Sequence, residues 1–191
     1  MIQRVIAFSA TSEYALGTMP MITTARLRLV PTTANLTQLE IDDLPQFFRY
    51  LDVEPIADWP SDNLANVLPF FRDQLSSDPS LVGWLAWYWI LDTPEGALLV
   101  GGGGFKGRPA NGEVKIGYET RVPYRRTGIA SEAVSAHVIW ALNHPSVTHV
   151  TAEVHVDNVA SIRVLMKLAF DHIGDGSENN LLRFERTSDD L

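Results

Sequence analysis

The chain has 191 residues, enough for one domain of ordinary size, and its 46% hydrophobic and 20% charged residues are typical of a globular protein. It contains no cysteine, which excludes disulfides, thiolate metal ligands and a cysteine nucleophile. The formal net charge of −8 disfavours nucleic acid as a partner, because binding to a phosphate backbone requires an excess of basic residues.

Residues 1–20 carry polar side chains that interrupt any signal-peptide core. We predict that they form an N-terminal arm or result from a translation start upstream of Met21. The folded domain is predicted to cover 21–191. The longest apolar run, Trp84 to Leu91, is far shorter than the roughly 20 residues of a membrane-spanning helix, so no membrane partner is expected. Without targeting signals, the expected location is the cytoplasm.

The first half of the chain alternates short strand and helix patterns. Period-two alternation indicates half-buried strands, and apolar residues at helical spacing behind a capping side chain indicate helices. In chain order we predict a strand at 26–30, a helix capped by Asp42 or Asp43, a loop at 52–60, a helix capped by Ser61, and strands at 84–91 and 97–103.

The second half continues with elements of both kinds. Asn111-Gly112 is a strong signal for a two-residue hairpin turn. The predicted elements are a strand at 113–122, a helix at 128–142, an alternating strand at 150–156, a helix capped by Asp157 or Asn158, and a last strand at 181–184. This order predicts an α/β sandwich with a mixed sheet and helices.

Charge is unevenly distributed along the chain. Residues 29–105 hold eleven acidic side chains and only two basic ones, whereas six basic side chains face two acidic ones in 106–126. Two interpretations remain open. The segments are solvated faces of opposite charge, or they bind a cationic and an anionic ligand respectively.

A glycine tract at 101–107 contains the spacing of a dinucleotide-binding fingerprint, at Gly102, Gly104 and Gly107. That fingerprint needs a helix directly after its last glycine, and here a hairpin follows. A nucleotide-binding fold is therefore disfavoured. The tract instead indicates a strand whose backbone lies close to another backbone or a ligand.

The segment from Arg125 to Ala130 joins a strand to a strongly patterned helix. The first amides of a helix have no partner within the helix and carry partial positive charge, so they attract anions. Gly128 lets the backbone approach a diphosphate, and the two arginines add charge. An ordinary cationic turn explains these local features equally well.

The run Arg-x-x-Gly-x-Ala at 125–130 resembles the pyrophosphate-binding motif of the GCN5-related N-acetyltransferases (GNAT). Further stretches are similar to the branch that acetylates N-termini of ribosomal proteins, from about Met21 to Arg186. They are 24–29, 116–119, 128–133 and 158–170. The resemblance implies a single-domain α/β fold with a mixed, mostly antiparallel sheet flanked by helices. It also implies acetyl-CoA as co-substrate, an amine acceptor and no metal.

Three positions depart from the family pattern. Arg126 and Ala169 stand where the family commonly has glycine, and Leu165 stands where many members have a tyrosine that reprotonates the leaving thiolate. Arg126 adds charge and leaves the motif's Gly128 intact, and Ala169 is a mild change before Phe170. The third removes the usual acid, which the ribosomal-protein branch often lacks as well.

By resemblance, a continuous set of residues contacts acetyl-CoA. Backbone groups at 120–122 face the pantetheine arm, 125–131 hold the diphosphate, and Asn158 holds the far end of the pantetheine. The set comprises Thr120, Arg121, Val122, Arg125, Arg126, Thr127, Gly128, Ile129, Ala130, Ser131 and Asn158.

The catalytic candidates are Glu119 and Glu153 as general base and Ser161 as a hydroxyl near the thiol. Both glutamates could equally be solvent-facing strand residues. His137 and His144 are interpreted as surface or helix-end residues, because no metal-ligand spacing occurs.

The acceptor side is expected in the loop at 52–60. There Glu54, Asp58 and Trp59 would form an acidic, aromatic-walled mouth for a cationic amine, or Trp59 would simply pack the loop. The function hypothesis is acetyl transfer to a primary amine, a protein N-terminus or a small cationic amine, by direct attack in a ternary complex. The alternative function is a non-catalytic acyl-CoA-binding module of the same fold. Independently of function, the chain could form a homodimer through an edge strand.

Overall fold

A computed structural model describes residues 7–9 and 20–188 of the chain. The expected arm at 1–20 therefore lies largely outside the described residues. The chain divides after Gly102 into two compact units, and each is described by itself.

The first unit combines antiparallel strands with three helices. Strands β1 to β4 are consecutive antiparallel neighbours, and β4 lies beside β5, whose last residues belong to the second unit. The elements are β1 (Ala7–Ser9), β2 (Met21–Thr23), β3 (Leu27–Pro31), α1 (Ala34–Asp42), α2 (Leu44–Leu51), α3 (Asp62–Ser77), β4 (Ala86–Thr93) and β5 (Gly96–Phe105).

Local capping and alternation explain most of these elements. Asp43 accepts a hydrogen bond from the Gln46 amide at the start of α2, and Ser61 accepts one from the Leu64 amide at the start of α3, as predicted. In β3 the side chains of Leu27 and Leu29 are buried. Helix α1 and strand β2 were not predicted, and β4 begins at Ala86 rather than Trp84.

The glycine tract has the close backbone approach that its composition indicates. A Cβ atom on Gly102 would lie 3.0 Å from the carbonyl oxygen of Trp87 on β4, tighter than nearly all real contacts. The tract lies in β5 and the segment after it, with no helix following directly. The nucleotide-binding interpretation therefore fails.

The second unit is a mixed sheet with two helices. Its strands run in the order β6, β7, β9, β8, with β6 and β7 parallel and the remaining pairs antiparallel. The elements are β6 (Glu113–Thr120), α4 (Ile129–Leu142), β7 (His149–His155), α5 (Val159–Lys167), β8 (Asp171–Asp175) and β9 (Leu181–Thr187). The predicted class, α/β with a mixed and mostly antiparallel sheet, is confirmed.

The hairpin turn at Asn111-Gly112 is also confirmed. Both residues have positive φ, 53° and 84°, and Ala110 and Glu113 exchange backbone hydrogen bonds of 2.9 and 3.0 Å across it. Against expectation, β8 is an additional strand, Val156 lies outside β7 and is 40% exposed, and His137 is fully buried rather than at the surface. His144 is exposed at the end of α4, as expected. No helix among the described residues is long and apolar enough to cross a membrane.

Helix α5 ends in a Schellman motif built around a non-glycine residue. The amide of Phe170 donates to the Leu165 carbonyl at 3.0 Å, the amide of Ala169 donates to the Met166 carbonyl at 3.1 Å, and Ala169 has φ 57°. The buried side chains of Leu165 and Phe170 occupy the positions that commonly make contact in this motif. A left-handed φ is costly for alanine and free for glycine, which agrees with the glycine that the family resemblance implies at this position.

Ala169→Gly is therefore expected to raise the free energy of unfolding by about 1 kcal/mol, because it removes the left-handed strain and keeps both hydrogen bonds. Urea unfolding measures the change. Ala160→Gly, inside the first turn of the same helix, is the control and should destabilise by about 1 kcal/mol. Equal effects of the two substitutions would contradict the prediction.

Candidate functional site

An opening between β6 and β7 forms the centre of the site in the second unit. The two strands pair only from Glu113–His149 to Ile116–Ala152, although β6 continues to Thr120 and β7 to His155. Beyond Ile116 and Ala152 the two strands therefore no longer pair with each other.

The start of α4 has backbone amides that no side chain caps. Gly128 is the N-cap of this helix, with φ 84° and ψ 0°. The first hydrogen bond into the helix runs from the Glu132 amide to the Gly128 carbonyl at 3.1 Å. The amides of Ile129, Ala130 and Ser131 thus have no acceptor in the helix, which is the arrangement that binds phosphate.

The turn before α4 is held by its own side chains. Arg125 Nε donates to the Thr120 carbonyl at 3.0 Å, and Thr127 Oγ1 donates to the Tyr124 carbonyl at 2.6 Å. Arg126 has φ 63°, so the position where the family resemblance implies glycine is left-handed. The turn therefore combines a fixed backbone with the two arginines of the motif.

Thr120, at the end of β6, has a buried side-chain hydroxyl, Oγ1, without a hydrogen-bond partner among the described residues. A buried hydroxyl without a partner is unfavourable unless a ligand or water satisfies it. The atom lies where the resemblance places the pantetheine arm.

The start of α5 brings a hydroxyl pair to the site. Asn158 Oδ1 accepts the Ser161 amide at 3.1 Å, which confirms Asn158 as the helix cap. Ser161 Oγ lies 2.7 Å from the hydroxyl of Tyr118 on β6. Tyr118 was not among the predicted site residues. The available signal was strand alternation, which puts it on the same face of β6 as the buried Val114 and Ile116.

Leu165, at the position of the family's tyrosine, is fully buried one turn further along α5. It has no ionisable or hydrogen-bonding side chain. The hydroxyls of Ser161, on this helix, and of Tyr118, on β6, are in contact one turn earlier.

The two predicted carboxylates differ in their surroundings. Lys115 Nζ lies 2.9 Å from Glu153, whose carboxylate also accepts the amide and the hydroxyl of Ser177 at 3.1 and 2.8 Å. Burial alone would raise the pKa of Glu153, but these hydrogen bonds outweigh burial and leave its pKa below the usual value. Glu119 is exposed near the end of β6, on the strand face of Lys115 and opposite to Tyr118.

The predicted acceptor residues lie in the first unit, and Trp59 is not an exposed wall there. Its side chain is 7% exposed and its indole N–H donates to Glu40 at 2.7 Å, so Trp59 packs the loop, which was the alternative interpretation. Glu54 and Asp58 are exposed. No group of three or more metal-ligating side chains was found among residues 7–9 and 20–188.

Comparison with known proteins identifies the family. The family described as "Acetyltransferase (GNAT) domain" matches residues 34–171. A curated Bacillus subtilis protein named as the uncharacterized N-acetyltransferase YjdG is 32% identical over 153 residues, which are 80% of this chain and 90% of that protein.

Solved structures share the fold of this chain. Ribosomal-protein-S5-alanine acetyltransferase from Vibrio fischeri is 17% identical with a TM-score of 0.62, covering 89% of this chain and 97% of its own. Mycobacterium smegmatis RimJ, solved with CoA-disulfide, is 20% identical with a TM-score of 0.60, covering 86% and 83%. These two likenesses show the fold. The domain match and the curated relative show that this chain belongs to the GNAT acetyltransferase family and is an acetyl-CoA-dependent N-acetyltransferase.

Proposed function

We propose that the chain moves the acetyl group of acetyl-CoA onto a primary amine by direct attack in a ternary complex. The observation that carries this proposal is the uncapped start of α4, where Gly128 at φ 84° leaves three amides beside Arg125 and Arg126. Such a site suits a diphosphate, the charged centre of CoA.

The remaining contacts to acetyl-CoA follow from the opening between β6 and β7. The diphosphate is bound by the turn at 125–128 and by the amides of Ile129, Ala130 and Ser131 in the first turn of α4. The pantetheine arm runs along the end of β6, where the unsatisfied Thr120 Oγ1 provides a hydrogen bond. The carbonyls of 120–122 already accept hydrogen bonds within the turn, so further contacts from 120–122 would come from their amides. Asn158, at the start of α5, lies at the thiol end.

The amine must be neutral to attack, because an ammonium group has no free electron pair. Near neutral pH the acceptor is mostly protonated, because ammonium groups titrate near 8 for an α-amine and near 10.4 for a lysine-type amine. We assign its deprotonation to Glu119, directly or through a water molecule. Glu153 is the weaker candidate, because Lys115 and Ser177 already occupy its carboxylate oxygens. With no cysteine and no serine motif of an acyl-enzyme, the amine attacks the thioester itself.

The acceptor is a cationic amine, either a protein N-terminus or a small polyamine-like or aminoglycoside-like molecule. Eleven acidic residues against two basic ones in 29–105 favour a positively charged acceptor. The loop at 52–60 has three exposed carboxylates, Asp52, Glu54 and Asp58. The S5-alanine acetyltransferase among the structural neighbours supports a protein N-terminus as the first class to test.

The test is thiol release from acetyl-CoA with a panel of amines: a peptide with N-terminal alanine, its N-acetylated copy, spermidine and an aminoglycoside. We expect amine-dependent release with at least one of them and none with the blocked peptide. Tight CoA binding without turnover on any amine would overturn the proposed acceptor class.

Glu119→Gln tests the base. We expect kcat to fall about 100-fold, since general base catalysis contributes 10²–10⁴, while the Kd for CoA stays unchanged. Glu178→Gln, an exposed carboxylate in the same unit, is the matched control and should behave like the wild type. Unchanged kcat in Glu119→Gln would move the assignment to another group.

A further inference from the structure

A hydrogen-bonded pair of hydroxyls connects β6 with the first turn of α5. Tyr118 Oη lies 2.7 Å from Ser161 Oγ and 3.4 Å from the Ser161 carbonyl oxygen, and both residues are part-buried. Tyr118 lies beyond Ile116, on the length of β6 that has parted from β7. The backbone of Ser161 is fixed by the Asn158 cap. Both hydroxyls are therefore held in place beside the opening.

Each hydroxyl of the pair can donate to the other as long as both keep their protons. Burial raises the pKa of the Tyr118 phenol, and the opposing hydrogen bond with Ser161 does not cancel this effect. The phenol thus keeps its proton in the neutral range. The protonated phenol can donate to Ser161 Oγ or accept from it, and when the phenol donates, the serine hydroxyl hydrogen is left to point toward a ligand.

The reaction creates negative charge that such a hydroxyl can stabilise. The amine nitrogen bonds to the carbonyl carbon, the carbon–sulfur bond breaks, and its electron pair goes to sulfur. The proton lost by the amine finally reaches this thiolate through the base and solvent. Until then, a donor aimed at sulfur lowers the barrier, because charge-assisted hydrogen bonds are stronger than neutral ones.

We propose that Tyr118 is a positioning residue for the leaving group: it orients the Ser161 hydroxyl so that this hydroxyl donates to the departing CoA sulfur. The inference rests on the proposed function, which puts the thiol end of CoA at the start of α5. Leu165, fully buried and apolar, supplies no competing donor from the next turn.

The direct test is the pKa of the CoA thiol when bound, followed by the ultraviolet absorbance of its thiolate. A thiol of ordinary pKa near 8.5 should titrate about one unit lower on the wild type. Tyr118→Phe and Ser161→Ala should both raise this pKa toward the value of free CoA, while Ser146→Ala, an exposed serine of the same unit, should leave it low. Identical thiol pKa values in all four proteins overturn the inference, even where CoA binding and amine-dependent release uphold the proposed function.

Kinetics distinguish positioning from a structural role. With the best amine of the panel, Tyr118→Phe and Ser161→Ala should each lower kcat about 10-fold at unchanged KM for acetyl-CoA. The double variant should be no slower than Ser161→Ala, because Tyr118 acts through Ser161. Independent, multiplying losses, or a loss that tracks a lower melting temperature, contradict the proposal. Absence of any CoA binding by the wild type would instead refute the proposed function.

Discussion

Gly128→Asp should weaken CoA binding by roughly 100-fold or more, the largest effect expected of any single substitution at the site. Gly128 has φ 84°, a conformation that costs a residue with a side chain roughly 1–2 kcal/mol. An aspartate here also puts a negative charge at the amides that would hold two phosphates, and charge repulsion at about 4 Å is worth roughly 1–4 kcal/mol. Isothermal titration calorimetry with CoA measures the loss.

Gly174→Asp is the matched control for this experiment. Gly174 also has positive φ, 131°, lies in the same unit on β8, and has nothing within 4 Å of an added Cβ atom. An aspartate there also occupies a positive-φ position and adds the same new charge, away from the α4 N-terminus. Near wild-type CoA affinity in both aspartate variants would show that the diphosphate binds elsewhere.

Features set by local chemistry could be predicted from the sequence. The caps at Asp43, Ser61 and Asn158 each act on an amide three residues away, so the residue types alone give the helix starts. The turn at Asn111-Gly112 and the start of α4 at Gly128 are local in the same sense. The cofactor half of the candidate site depends on these short-range features.

Elements with polar residues on their buried faces could not be predicted. Helix α1 buries Thr37 and Glu40 together with Leu36, so its apolar stripe is interrupted where a sequence pattern needs it most. Strand β8 could not be predicted for a different reason, because none of its residues is buried. It is short and mostly exposed, and has no alternation to reveal it.

Hydrogen bonds between side chains far apart in the chain could not be predicted from the sequence either. Tyr118 and Ser161 are 43 residues apart, and only the meeting of β6 with α5 brings their hydroxyls together. Trp59 presented two alternatives that the sequence could not separate, because its hydrogen-bond partner Glu40 lies 19 residues earlier on an unrecognised helix. In contrast, the departures at Arg126 and Ala169 were visible in the sequence, and both positions are left-handed.

Glu40 is a buried carboxyl group in the first unit with two aromatic hydrogen-bond partners. It is 2% exposed, one carboxyl oxygen accepts the Trp59 indole N–H at 2.7 Å, and the other contacts the Tyr88 hydroxyl. Burial raises the pKa of Glu40 to about 7, although both hydrogen bonds act in the opposite direction. Tyr88 also hydrogen-bonds Thr37, and its own pKa is raised by burial and by Glu40.

This raised pKa determines how stability changes with pH. Between the ordinary value of 4.5 and about 7, the folded chain holds a proton on Glu40 that the unfolded chain has lost. The free energy of unfolding should therefore fall as pH rises through this range, by up to about 3 kcal/mol from this group. Glu113 and Glu153, whose pKa values are lowered, contribute in the opposite sense and at lower pH.

Glu40→Gln isolates the contribution of Glu40. Glutamine cannot ionise, and its carbonyl can accept the Trp59 N–H; its amide can donate to the Tyr88 oxygen, in place of the hydrogen bond that the Tyr88 hydroxyl donates to Glu40. Wild type and variant should have similar free energies of unfolding at pH 5, and the variant should be more stable by about 1–3 kcal/mol at pH 8. Urea unfolding at several pH values measures the difference, with Glu95→Gln as an exposed control from the same unit. Parallel pH profiles for wild type and Glu40→Gln would mean that burial does not keep this carboxyl protonated, and that Trp59 is held by a permanently charged acceptor.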